Sequence, residues 1–118
     1  MARSSVLRLT DMREAIEGIT HLTADASYEV FVRNWGMQRA IERGLEIISE
    51  ASRHIPDDQK ALAPEIPWRQ IAAIGNLLRH EYQRADTSLI WNILIEHLPR
   101  LAEAVDRLMP IAAAEQQP

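Results

Sequence analysis

The chain has 118 residues, 47% of them hydrophobic and 25% charged, with a formal net charge of -4. That is the profile of one ordinary globular domain spanning 1–118, and it excludes a disordered, fibrous or broadly basic nucleic-acid-coating protein. There is no cysteine, which excludes disulfides, thiolate metal sites and a thiol nucleophile.

The opening "MARSSVLRLTDMREAI" carries Arg and Asp throughout, so no signal peptide is expected, and no stretch approaches a membrane span. The expected location is the cytoplasm. Along residues 4–20, Val6, Leu9, Met12, Ala15, Ile16 and Ile19 recur at helical spacing. "THLTADASYEVFVRN" (20–34) predicts a turn followed by a short helix, with Thr23 or Asp25 as its N-cap. Asn34 is placed to cap a third helix running to about His54, with Met37, Ile41, Leu45, Ile48 and Ala51 in one apolar stripe. Pro56 stops it.

Residues 55–67 hold three prolines and form one long connection, after which Pro67 starts a fourth helix over about 68–84. Ala85–Asp86 break it, and Asp86 caps a last helix of about 87–109 in which Pro99 predicts a kink. The core is expected over about 5–109, with 110–118 a frayed tail. No strand-like alternation of any length occurs. The expected fold is an all-α, up-and-down bundle of four to five helices.

The fourth helix carries the chemistry. At about 100° per residue, Ile71, Ile74, Leu78 and Tyr82 share the core face, while Arg69, Asn76, Arg79, His80 and Gln83 lie opposite. Asn76 and His80 are one turn apart, and Arg79 flanks Asn76 at i+3. One imidazole, one amide and guanidiniums, without carboxylates, suit work on a phosphodiester without a metal. His moves the proton while Asn and Arg stabilise charge on phosphate oxygens. A surface helix carries a polar face in any case, so this grouping alone does not separate catalysis from ordinary amphipathicity. The four histidines are scattered and no H-E-x-x-H is present, so no metal site and no cofactor is expected.

"IPWRQIAAIGNLLRHEYQRADTSLIWNILIEHLPRL" (66–101) resembles the signature of the HepT-like branch of the HEPN superfamily: a Pro-Trp helix start, R-N-x-x-x-H-x-Y, an Asp-capped helix with Trp, then Leu-Pro-x-Leu. "AIERGLEIISEAS" (40–52) resembles the same family's third helix. The resemblance implies a homodimer whose motif helices meet in an interface cleft. It further implies a toxin that cleaves RNA without metal and is neutralised by a nucleotidyltransferase antitoxin. Carried over residue by residue, it makes His80 and Asn76 catalytic and Tyr82 the site of AMP attachment. One position departs: Gly75 stands where the motif has arginine. Arg79, or Arg69 reaching into a partner's site, is the candidate replacement, and Arg69 and Gln83 are candidate RNA-phosphate contacts. Gly75 also admits a packing explanation, since a residue without a Cβ lets a neighbouring helix come close. The competing function is a catalytically weakened dimer that binds the nucleotidyltransferase or RNA without cutting.

Overall fold

In the computed structural model, residues 4–81 and 87–116 are described, with the side chains of His80 and Glu81 outside the description. Ser4 starts α1 (Ser5–Thr23) by accepting the Leu7 N–H on its Oγ. The helix runs three residues beyond the expected end, and Leu9, Met12, Ile16 and Ile19 form its buried stripe. Thr23 does not cap the next helix, because its hydroxyl donates back to the Ile19 carbonyl at 2.8 Å and so closes α1. Asp25 is not the cap either. Ser27 is, with its Oγ accepting the Val30 N–H ahead of α2 (Tyr28–Arg33).

Asn34 caps α3 (Trp35–Ser52) as expected, its Oδ1 accepting the Met37 N–H at 2.9 Å. Ile41, Leu45, Ile48 and Ala51 are buried along it, joined by Ser49 and Ser52. The proline-rich connection is more ordered than its composition suggests, for it contains α4 (Asp57–Lys60). Two acidic residues in the first turn suit the positive end of that helix. Ile55, Ala63 and Ile66 anchor the connection in the core. Buried Gln59 donates to Ser5 Oγ and to Glu115 Oε2.

Pro67 immediately precedes α5 (Trp68–Glu81), and its carbonyl accepts the Ile71 N–H. The remaining helical run comprises α6 (Thr87–Asn92), a π-helical segment (Ile93–His97) and α7 (Leu98–Glu115). Pro99, expected to kink this run, sits at the junction of the π segment and α7. Its ring would crowd the carbonyl four residues back, and it has no N–H to offer that carbonyl. The wider turn, with the Leu98 N–H reaching Ile93 O, accommodates both.

The tail expected to fray from residue 110 is helical as far as Glu115, and 117–118 lie outside the described residues. The helix passes through Pro110 and continues to Glu115, because Ala112 is fully buried and Glu115 accepts the Gln59 amide. Tertiary contacts hold a turn that proline alone would open.

The long helices form an all-helical bundle in which α3 lies between α1 and α5, and α7 packs on α1. Phe31 is fully buried and stacks at 5.3 Å, centroid to centroid, on Trp91, tying the short α2 to α6. No strand occurs among the described residues, and none of their helices is long and apolar enough to cross a membrane.

Candidate active site

Helix α5 separates its side chains as its periodicity demands. Ile71, Gly75 and Leu78 are buried, Ile74 and Leu77 are half-buried, and Arg69, Asn76 and Arg79 are exposed. Arg69, Asn76 and position 80 are spaced i, i+7 and i+11, which brings them within about 40° of one another around the axis. The expected catalytic helix therefore presents Asn76 and Arg79 to solvent, with His80 one turn beyond Asn76. Tyr82 and Gln83, the expected AMP-acceptor and RNA-phosphate contact, lie outside the described residues, as does the Asp86 cap. Arg69 is about 16 Å along the axis from position 80, so the structure does not bring it to the Asn76 turn of its own helix.

Gly75 is packed directly against Ser49 of α3. The Ser49 hydroxyl donates to the Ala72 carbonyl at 2.9 Å and accepts the Gly75 N–H at 3.0 Å. A Cβ at position 75 would lie 3.1 Å from Ser49 Oγ, which is tighter than ordinary contact. The packing explanation of the glycine is therefore realised. Helical side chains lean toward the turn before their own Cα, and Arg79 does so here. Its Nη1 would lie 3.5 Å from a Cβ at position 75. The guanidinium of Arg79 thus lies beside Gly75, where the resemblance led an arginine to be expected.

A second guanidinium arrives from α3. Arg53 donates through Nε (3.2 Å) and Nη2 (2.9 Å) to the same Ala72 carbonyl that Ser49 holds. Its Nη1 is 3.6 Å from a Glu50 carboxylate oxygen. The hydrogen bond from His54 is the main influence on Glu50 and holds its carboxyl below the usual range; the charges of His54 and Arg53 add to this. Neither Ser49 nor Arg53 was singled out in the sequence. The available signal was a serine on the apolar stripe of α3, four residues after Leu45, matched by a glycine on the apolar side of α5.

On the other flank of α5, a cavity of about 190 Å³ is lined by Pro67, Gln70, Ile74, Leu77, Asn92 and His97. It offers an apolar floor with amide and imidazole groups at its wall. A larger cavity of about 430 Å³, bounded by Thr20, Trp91, Ile95 and Pro99, has no residue of this helix and no titratable side chain in its wall. Size does not mark the chemistry here. Among the described residues, no group of three His, Asp or Glu is placed to hold a metal ion.

The family model described as "Ribonuclease HepT-like" matches residues 12–108, which include the α3 and α5 segments just described. The chain belongs to the HepT-like ribonuclease family. A relative from Thermococcus cleftensis named "Probable ribonuclease HepT" is 41% identical over 108 residues, covering 92% of this chain and 98% of its own length. "Putative RNase MJ1380" of Methanocaldococcus jannaschii is 35% identical, covering 83% of this chain and 90% of its own. A further relative, "Putative RNase TTE0752" of Caldanaerobacter subterraneus, is 32% identical over 70% of this chain and 74% of its own. No solved structure gives a significant match. Within this HepT-like chain, the resembling segments 40–52 and 66–101 include the α3–α5 crossing and the exposed stripe beside it.

Proposed function

We propose that this HepT-like chain is a metal-independent endoribonuclease that acts in the cytoplasm as the toxin of a toxin–antitoxin pair. The observation that carries the reading is the Asn76 turn of α5. An exposed amide and the guanidinium of Arg79, folded over Gly75, stand one turn from His80. That donor set matches what the reaction needs.

In the reaction the ribose 2′-oxygen loses its proton and attacks the adjacent phosphorus. The bond from phosphorus to the 5′-oxygen breaks, a 2′,3′-cyclic phosphate remains, and a proton is delivered to the departing 5′-oxygen. His80 transfers protons. Asn76 and Arg79 stabilise the negative charge that builds on the non-bridging oxygens. Two copies form the working unit, with their α5 helices facing across a cleft, so that Arg69 of one copy serves the other's site and Gln83 adds a phosphate contact. A nucleotidyltransferase antitoxin neutralises the toxin by transferring AMP from ATP to the Tyr82 phenol, with release of pyrophosphate.

Cleavage of RNA in the presence of a chelator, by wild type and by His80→Ala, is the test. Cleavage lost in His80→Ala supports the reading, and a wild type that degrades no RNA and is harmless when expressed alone sinks it. Sedimentation should give about twice the chain mass. Mass spectrometry after co-expression with the antitoxin should show an AMP adduct on the Tyr82 peptide.

The second reading, a dimeric module that binds the nucleotidyltransferase or RNA without cutting, is favoured by Gly75 itself. Loss of one charge-stabilising donor costs about 10²–10³ in rate.

A further inference from the structure

Building on the ribonuclease reading, we propose that Arg53 of α3 is a phosphate-binding residue of the site. On this proposal, Arg53 and Arg79 together supply the positive charge that the motif places at position 75. Position 75 projects from α5 toward α3, not into the exposed stripe. An arginine there would have to emerge along the α3–α5 groove to reach a substrate at Asn76. In this chain that groove is occupied from both sides: Arg79 folds back from one turn further along α5, and Arg53 enters from α3. The glycine removes the side chain and leaves the room.

The Arg53 guanidinium is held in place without being used up. Nε and one N–H of Nη2 are spent on the Ala72 carbonyl, the group that in an α-helix also receives the amide of Asn76. The Glu50 carboxylate is an ion-pair neighbour at 3.6 Å, beyond hydrogen-bonding distance. Among the described residues, neither N–H of Nη1 nor the second N–H of Nη2 makes a hydrogen bond, so these donors are open to phosphate oxygens. The side chain is 39% exposed, so a backbone phosphate can reach it. A planar fork fixed by two bonds loses little freedom on meeting a phosphate. Ser49 completes the arrangement by holding Ala72 and Gly75, and with them the α5 turn against which Arg53 is braced.

The test uses the full chain and a single-stranded RNA made non-cleavable by 2′-O-methylation. Binding is followed as a function of salt, and cleavage of the unmodified RNA is measured in parallel. Arg53→Gln keeps an amide able to reach the Ala72 carbonyl but removes the charge. It should lower the slope of log affinity against log salt by about 0.7, one single-strand phosphate contact. Cleavage should fall about tenfold or more, while Arg53→Lys keeps most of the slope. A residue that only braces the two helices would alter the melting temperature and leave the slope untouched. Should Arg53→Gln fail to fold, Glu50→Gln replaces it: freeing Arg53 from its counter-charge should tighten binding, and by more than Asp106→Asn, which frees Arg13 of α1 in the same way. A cleaving wild type whose slope and rate are unchanged in Arg53→Gln, or whose affinity is indifferent to Glu50→Gln, overturns the role of Arg53 alone. A wild type that neither binds nor cleaves RNA overturns the ribonuclease reading on which that role rests.

Discussion

The hydroxyl of Ser49 accepts the amide N–H of Gly75 at 3.0 Å across the α3–α5 crossing, and Ser49 is 1% exposed. The same oxygen donates to Ala72, so it is pinned at both ends and cannot swing away from an incoming Cβ. This accounts for a glycine in a helix interior, where it costs about 1 kcal/mol relative to alanine.

Gly75→Ala in wild type is expected to destabilise the fold by about 1 kcal/mol. The propensity gain is outweighed by a displaced, buried hydroxyl that loses its partners. In a Ser49→Ala background the hydroxyl is gone and the nearest atom of residue 49 is its Cβ, 3.5 Å from the new methyl group. There the same substitution should stabilise. Urea midpoints of the four proteins check this reversal of sign, and a stabilising Gly75→Ala in wild type would contradict it.

Arg79→Ala should lower RNA cleavage by about 10²–10³, the cost of removing one donor aimed at developing charge. Arg69 acts differently if it serves the partner's site. Cleavage by mixed dimers of Arg69→Ala and His80→Ala chains should then exceed that of either parent, because one site regains both residues. Mixed dimers no better than their parents would confine Arg69 to its own chain or remove it from the site.

Two carboxyls of α3 should respond to pH in opposite senses. Burial, partly offset by Arg39, pushes Glu42 above the usual carboxylate range. A raised folded value means that its contribution is most favourable below about 4.5, the ordinary value, and is lost as pH rises through the raised pKa. Glu50 is depressed, so its contribution is present above about 4.5 and is lost as pH falls through the depressed pKa. Urea titrations of Glu42→Gln and Glu50→Gln from pH 3 to pH 8 should show the two variant-minus-wild-type curves sloping in opposite directions. The Glu50 effect should be the smaller, because its side chain is well exposed and screened.

Ending the chain at Met109 should cost about 2 kcal/mol. The truncation removes the fully buried Ala112, the half-buried Ile111 and the Glu115 partner of buried Gln59. Thermal unfolding measures it. A truncated protein as stable as the full chain would show that the last turns of α7 contribute nothing to the core.

Much of this protein is legible in one dimension, because helical signals act within a few residues of one another. The stripe Ile41, Leu45, Ile48 and Ala51, the Asn34 cap and the division of α5 into a core side and a polar side all follow from spacing along a single segment. The motif resemblance is likewise local to 40–52 and 66–101. What only the tertiary structure decided depends on groups far apart in the chain. Whether Gly75 marks a lost arginine or a close approach turns on Ser49, 26 residues earlier. The braced guanidinium of Arg53 turns on a carbonyl 19 residues later. The helix beyond Pro110 survives because Gln59, 56 residues before Glu115, reaches it. Proline and glycine report the local cost of a conformation. Only packing supplies the energy that offsets it, and packing is set by where separate helices meet.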